Sequence, residues 1–264
     1  MSSRFDTPRW HTAVAALVRG GDGRRQADSL IEAISCTVDH EGTCLLAFHR
    51  DAPPDILHHT LEPEGARHYL DRYVAGPYLL DPLYQLSLRQ QQPGVCRFRD
   101  ESPDRFRSSE YYRQYCERTH LLDEMDFVLP ANKKSALALV VGKRTKMFTK
   151  TELGRLERIA ELVHASMHNV WDRWVESRQA RTGDTTVHER LTRAFDDFGS
   201  GVLTRREREI SKLLLRGHSS KSIARELNIA PGTVMVHKRN LFAKLGITSQ
   251  YALFSLFIEE LSGF

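Results

Sequence analysis

The stretch from Leu203 to Gly246 leaves the chain little conformational choice, because helix starts and stops follow one another through it. Thr204 and Glu207 have capping-box spacing, in which a hydroxyl and a carboxylate each satisfy a backbone N–H that the first helical turn leaves unpaired. Ile210, Leu213 and Leu214 keep the three-and-four spacing of one buried face as far as Gly217, a residue free to take the positive φ that ends a helix. Ser219 or Ser220 can cap a second helix, with Ile223, Ala224 and Leu227 on one stripe and Asn228 at its close. Pro231 suits the first turn of a third helix, where its missing N–H would have been unpaired anyway. In that helix Val234, Leu241 and Leu245 face inward, which leaves Met235, Val236, Lys238, Arg239 and Lys244 outward. Two short helices joined by a tight turn, the second one basic, is the arrangement that sets a recognition helix in the major groove of DNA. An ordinary helical hairpin with a solvated basic face carries the same pattern.

The literal residues narrow the choice. Leu203-Thr-x-Arg-Glu-Arg-Glu, Gly217-x-Ser-x-Lys221-x-Ile223-Ala224-x-x-Leu227-x-Ile229, Thr233-Val-x-x-His237-x-x-Asn240 and Lys244-Leu-Gly246 resemble the DNA-binding domain of the LuxR family of bacterial transcription regulators, without a gap over residues 203–258. The resemblance implies that Met235, Val236 and Arg239 lie nearest the base edges, with Lys221, Thr233, Lys238 and Lys244 placed for phosphates. Arg239 is the candidate for a guanine, since its fork can bond O6 and N7 together. The family usually carries Lys or Arg where Met235 stands, so an apolar contact to a thymine methyl replaces a polar one. The implied partner is double-stranded DNA, a near-palindromic operator read by a homodimer with half-sites about one helical turn apart. RNA polymerase is carried as a further candidate partner.

Charge supports this placement. The formal net charge is +4, yet residues 203–264 hold ten Lys/Arg against five Asp/Glu, while residues 1–202 hold 28 against 29. The excess sits on the segment that should meet phosphates. The four cysteines, Cys36, Cys44, Cys96 and Cys116, form no C-x-x-C pair and no zinc spacing, so reduced thiols are expected and no metal or other cofactor is implied. Apolar runs such as Ala13–Val18 and Ala136–Val141 fall far below the roughly 20 residues that span a bilayer, and the first is too short for a secretory core segment. A cytoplasmic protein without membrane contact is the expectation.

Ahead of this head, residues 9–19 and 28–36 read as helices, and Thr43–Phe48 and Ile56–Leu61 as a strand hairpin bounded by turn signals. Helices at 63–75 and 82–91, a strand at Val95–Phe98, a helix over 104–118 and strands at Met125–Leu129 and Ala136–Val141 follow. Five strands interleaved with helices describe an α/β sensor domain, an α-β-α sandwich on one antiparallel sheet. The expected organisation is a sensor and dimerisation domain over 1–176, a linker over 177–202 that includes an amphipathic piece with Leu191, Phe195 and Phe198, and an all-α four-helix head over 203–264.

The sensor segment also carries a likeness. Tyr69-x-x-x-Tyr73, Asp81-Pro82, Pro93-Gly-Val-Cys96, Phe127-Val-Leu-Pro130 and the strand Ala136–Val141 resemble the autoinducer-binding domain of LuxR-type quorum sensors. In that family a Trp hydrogen-bonds the lactone carbonyl of an acyl-homoserine lactone signal, an Asp its amide N–H, and a Tyr contacts its acyl group. The resemblance places that Tyr and Asp at Tyr73 and Asp81, but Tyr69 stands where the Trp is expected, Cys96 where a second Trp falls, and Asp126 where a Gly falls. A phenol for an indole changes pocket shape and hydrogen-bond polarity. An acid at 126 is costly to bury unless a cation or donor meets it. These departures point away from an unmodified lactone and toward a ligand bearing an amine or several donors, or toward no ligand. Tyr69 and Tyr73 as core aromatics, and Asp81 as a helix cap before Pro82, are the plainer readings.

From Thr149, which has capping-box spacing to Glu152, Leu153, Leu156, Ala160, Val163, Met167, Val170 and Trp174 repeat at three and four residues. Such a seam serves a dimer or packs across the domain's own sheet; the family likeness favours the dimer for its C-terminal half. The terminal stripe of Ala252, Leu253, Leu256 and Phe257 argues for contact with a twin subunit as well. His164 and His168, four apart, lack a third ligand for a metal. Residues 1–176 lack the acidic pair, phospho-acceptor and Lys of a phosphorylated receiver, and no nucleophile elbow, phosphate loop or metal motif marks an enzyme. A ligand-independent regulator and a redox-responsive one acting through Cys96 are the alternatives to a ligand-controlled regulator.

Overall fold

The computed structural model describes residues 4–178 and 185–262, and their side chains except at 63–68, 178, 185–190 and 262. Helices α1 (Pro8–Arg19) and α2 (Gly23–Thr37) precede a hairpin of β1 (Gly42–His49) and β2 (Asp55–His59). Then come α3 (Pro63–Val74), α4 (Pro82–Arg89), β3 (Gly94–Arg97), the single turn α5 (Phe98–Glu101), β4 (Asp123–Pro130) and β5 (Ser135–Lys143). Next are α6 (Lys150–Arg158), α7 (Ala160–Arg178) and α8 (Thr185–Asp197). The chain closes with α9 (Arg205–Leu215), α10 (Ser220–Glu226), α11 (Pro231–Leu245) and α12 (Gln250–Ser262). The strands form one five-stranded sheet, ordered β2-β1-β5-β4-β3 and antiparallel throughout, the α/β class the strand pattern led one to expect.

Strand alternation divides the molecule. Leu45, Ala47, Met125, Phe127, Leu129, Leu137, Leu139 and Val141 face a core shared with α1, α2, α6 and α7. Leu46, Phe48, Val128 and Ala138 face the other side, with residues of α3, α4 and the 98–116 segment. On this second side the core does not end with the sheet: it runs on through Leu191 and Phe195 of α8 and Phe198 just after it into the buried faces of α9 to α12.

Four expectations are corrected by this packing. The helix over 104–118 is a series of short turns instead, Phe106–Ser108, a π-helical turn at Tyr112–Cys116, and Glu117–Thr119; at its start the Arg105 N–H bonds the Gly217 carbonyl, not a neighbour in a helical ladder. The long helix from Thr149 breaks at Ile159 (φ −97°, ψ 6°), and no Gly or Pro marks the break. Its seam residues Leu156, Val163, Met167 and Val170 are buried on the chain's own sheet and α2, so the stripe does not await a second helix. The apolar face of α12 is likewise covered within the chain: Phe257 meets Phe195 of α8 and the following Phe198 edge-on, and Phe254 lies against Tyr115.

The amphipathic piece expected inside the linker is α8, packed on the head; of that linker, residues 179–184 lie outside the described residues. His164 bonds the Gly94 carbonyl and His168 the Asp172 carboxylate, so neither is held toward the other. Among the described residues no group of three or more His, Cys, Asp or Glu is placed to hold a metal, and no single helix is long and apolar enough to cross a membrane.

Candidate signal pocket and nucleic-acid interface

A cavity of about 440 Å³ opens between the second face of the sheet, α3, the start of α4 and the 98–122 segment. Tyr69 and Tyr73 project from successive turns of α3 and stack, their ring centroids 6.1 Å apart. Asp81 caps α4: one oxygen accepts the Leu83 N–H at 2.8 Å, the other the Tyr73 hydroxyl at 2.7 Å. Phe98, Phe106 and Tyr112 supply further aromatic wall, and Cys44, Val140 and Glu124 the sheet floor. Tyr69, Tyr73 and Asp81, which the family resemblance singled out, all line this one cavity.

Cys96 and Asp126 do not line it directly. They pair across β3 and β4 in a row that continues to Val140 and Cys44, which do. Asp126 is 0% exposed and neither carboxylate oxygen has a hydrogen-bond partner. Burial raises its pKa well above the ordinary value, and the charges of Glu124 and Asp81 raise it further. Glu124 is raised by burial first, then by Asp81 and Asp123, with Arg107 opposing. Burial pushes Asp81 up to about 6 against the bonds from Tyr73 and Leu83. Glu124 was not foreseen, although it stands two residues before Asp126 on a strand and so on the same face. Burial, then Asp126, pushes the Cys96 thiol up; a reactive thiolate needs the opposite setting, which tells against redox sensing at this position.

The head is built as its sequence indicates. Both halves of the Thr204/Glu207 capping box form, Ser219 caps α10, Asn228 takes φ +50° after it, and Gly246 ends α11 in the left-handed region. Val234 and Leu241 are buried beneath α11, while Met235 and Val236 are 64% and 46% exposed beside an exposed Arg239. Thr233 lies exposed in the first turn of α11; the N-cap Ala230 provides no side-chain bond, and its carbonyl accepts the Thr233 and Val234 N–H groups. Lys221 is exposed on α10. Lys244 instead reaches the buried Glu207 carboxylate at 2.7 Å, joining the capping box. Lys238 is half-buried over the Phe242 ring, and its pKa is lowered by burial and by Arg105 of the sensor.

The contact near Lys238 belongs to a larger docking of head on sensor. Asp104, which lines the cavity, accepts the Ser219 N–H at 3.0 Å and the Ser219 hydroxyl. Gly217 (φ +90°) lies so close to the Phe106 backbone that a Cβ there would stand 2.8 Å from Phe106 Cα. Leu261 and Leu191 approach the Cα side of Gly76.

Residues 201–257 match the model of the bacterial regulatory proteins, luxR family. An inferred HTH-type transcriptional regulator in the exeN 3′ region of Aeromonas salmonicida is 33% identical over 187 residues, covering 69% of this chain and 94% of that one. The monoamine regulon transcriptional regulator of Klebsiella aerogenes is 25% identical over 203 residues, 77% of each chain. In fold, the crystal structure of the VqsR LBD domain from Pseudomonas aeruginosa superposes with a TM-score of 0.56 at 24% identity, covering 63% of this chain and 99% of that one. With the family match of its head and a 33% identical relative matched over 94% of that relative's length, this chain belongs to the luxR family of bacterial regulatory proteins.

Proposed function

We propose that this LuxR-family transcription regulator is a cytoplasmic, ligand-controlled one, in which residues 1–176 sense a small molecule and residues 203–264 read DNA as one arm of a homodimer on a near-palindromic operator. The observation that carries ligand control is the double role of Asp104, which borders the cavity and bonds the head through Ser219. A molecule that enters the cavity moves the 98–112 wall and loosens the head held on it. The docked head has Lys238 half-buried beside Arg105, so release frees a basic side chain for DNA. Amines are one class of signal to test, since one relative is by name the regulator of a monoamine regulon.

Asp104→Ala is therefore expected to strengthen binding of the ligand-free chain to a random-sequence duplex by about three- to tenfold and to steepen the salt dependence by about one counterion. Fluorescence anisotropy over a salt series measures both. Unchanged or weaker binding would count against ligand control through this wall.

For base reading, Arg239→Ala should lower affinity for an operator selected from a random pool by about 1–3 kcal/mol and relax one position per half-site. Lys221→Ala should weaken all sequences alike and reduce the salt slope by about 1. If both variants lost affinity equally on operator and random duplex, the division between base and phosphate contacts would be wrong. Dimerisation is read by sedimentation with and without the operator; a single head per operator at saturation would exclude it.

A further inference from the structure

The acids around the cavity are more numerous than a neutral signal requires. One carboxylate suffices to accept an amide N–H, yet Asp81 and Glu124 line the cavity and Asp126 lies on the same face of β4, and no ion pair forms on any of them among the described residues. Asp126 is wholly buried with both oxygens unmet. A carboxyl left so is costly, and it points to a partner with donors and positive charge.

We infer that the cavity takes a small organic cation, an ammonium carried on an apolar or aromatic body, with Asp81 and Glu124 at its charged end, Asp126 behind them on β4, and the rings of Tyr69, Tyr73, Phe106 and Tyr112 as its walls. The inference rests on the cavity being the signal site, as proposed above, and names the class of signal. Aromatic faces attract cations, and most strongly where water is excluded. The volume of about 440 Å³ is that of a site for a drug-sized molecule, not for a bare ion. A metal ion is a poor occupant, since no three ligating side chains are placed around one point among the described residues.

The positive groups of the cavity, Arg99, Arg107 and Arg144, are exposed at its rim; Arg99 pairs with Asp100, and Arg107 bonds the Leu122 carbonyl. The exposed Asp104 shares this rim, so the arginines do not make it uniformly basic, and the unpaired acids lie deeper, on the sheet and at the start of α4.

Asp126 is faced by Glu124 on its own strand, Asp81 from α4 and Cys96 from β3, and Glu124 by Asp123 and Arg107. Because these acids hold protons more tightly than usual, a bound ammonium releases protons from them, and a neutral ligand does not.

The test uses the full chain with four probes: phenethylamine, octylamine, 2-phenylethanol and N-octanoyl-homoserine lactone. Thermal shift and calorimetry at pH 7, in two buffers of different ionisation enthalpy, should show the amines binding at least tenfold tighter than 2-phenylethanol and releasing protons. Asp126→Asn should weaken the amines at least tenfold and reduce the proton release while the chain stays folded. Equal or tighter binding of the neutral probes overturns the cation class but leaves ligand control standing. No response to either amine also overturns it, and the ligand-free Asp104→Ala measurement then judges ligand control separately.

Discussion

Replacing Lys143 by Ala is expected to destabilise the chain by about 3–5 kcal/mol, the effect of leaving one partner of a buried ion pair alone. Lys143 is 0% exposed at the end of β5, and its ammonium lies 2.5 Å from Glu152 Oε1 and over the Phe148 ring. The other Glu152 oxygen is the capping-box acceptor of α6, bonded by the Thr149 N–H and hydroxyl. One carboxylate thus ties the sheet to the helix start, and without Lys143 it stays buried with an unmatched charge. The melting temperature should fall on the order of 10 °C. Pairing Lys143→Met with Glu152→Gln should cost well under the sum of the single changes, because no charge is then stranded; strict additivity in thermal unfolding would show that the two groups do not act as a pair.

The same pair gives a signed pH dependence. Although burial opposes it, the bonds from Lys143 and Thr149 hold Glu152 down at about 2, below its ordinary value. A lowered acid adds stability that is full above the unfolded value, near 4.5, and is lost as pH falls toward 2. Lys143→Ala should flatten this acid loss, which melts taken from pH 5 to pH 2 would reveal. The head repeats the construction with Thr204, Glu207 and Lys244. Lys244 therefore contributes to stability through Glu207, a role that its outward place on α11 did not suggest.

What the sequence made legible follows from the range of the forces involved. The head could be read almost residue by residue, because capping boxes, Gly217 and Pro231 act within one helical turn. The strands were legible for a similar reason, as short apolar runs between turn signals. Partners beyond the segment were not. The Leu156 to Val170 stripe has the spacing of a coiled coil, but a stripe that wide packs equally on a sheet, and here it does. The 104–118 segment carries helical spacing at Tyr111 and Tyr115, yet its first residues bond Gly217 and Ser219 over 100 positions away. The pocket was legible as to Tyr69, Tyr73 and Asp81 through family spacing; Glu124, Phe106 and Asp104 needed the fold to bring them there.

Asp126→Asn is expected to stabilise the ligand-free chain at neutral pH, by about 1–3 kcal/mol, because the amide has no charge to bury whereas the carboxyl must hold a proton that the unfolded chain gives up. The side chain keeps its shape but can no longer carry charge among Glu124 and Asp81. The sign follows from the raised pKa: folding holds a proton on Asp126 that the unfolded chain releases, so its contribution is most favourable below about pH 4 and is lost progressively as pH rises toward the folded value. The gap in melting temperature between variant and parent should therefore open above about pH 4 and reach several degrees by pH 8. A gap independent of pH, or a less stable variant at pH 8, would mean that this carboxyl is neither raised nor strained. A chain that becomes more stable when it loses an acid, and at the same time loses its grip on amines, carries that acid for the ligand and not for the fold.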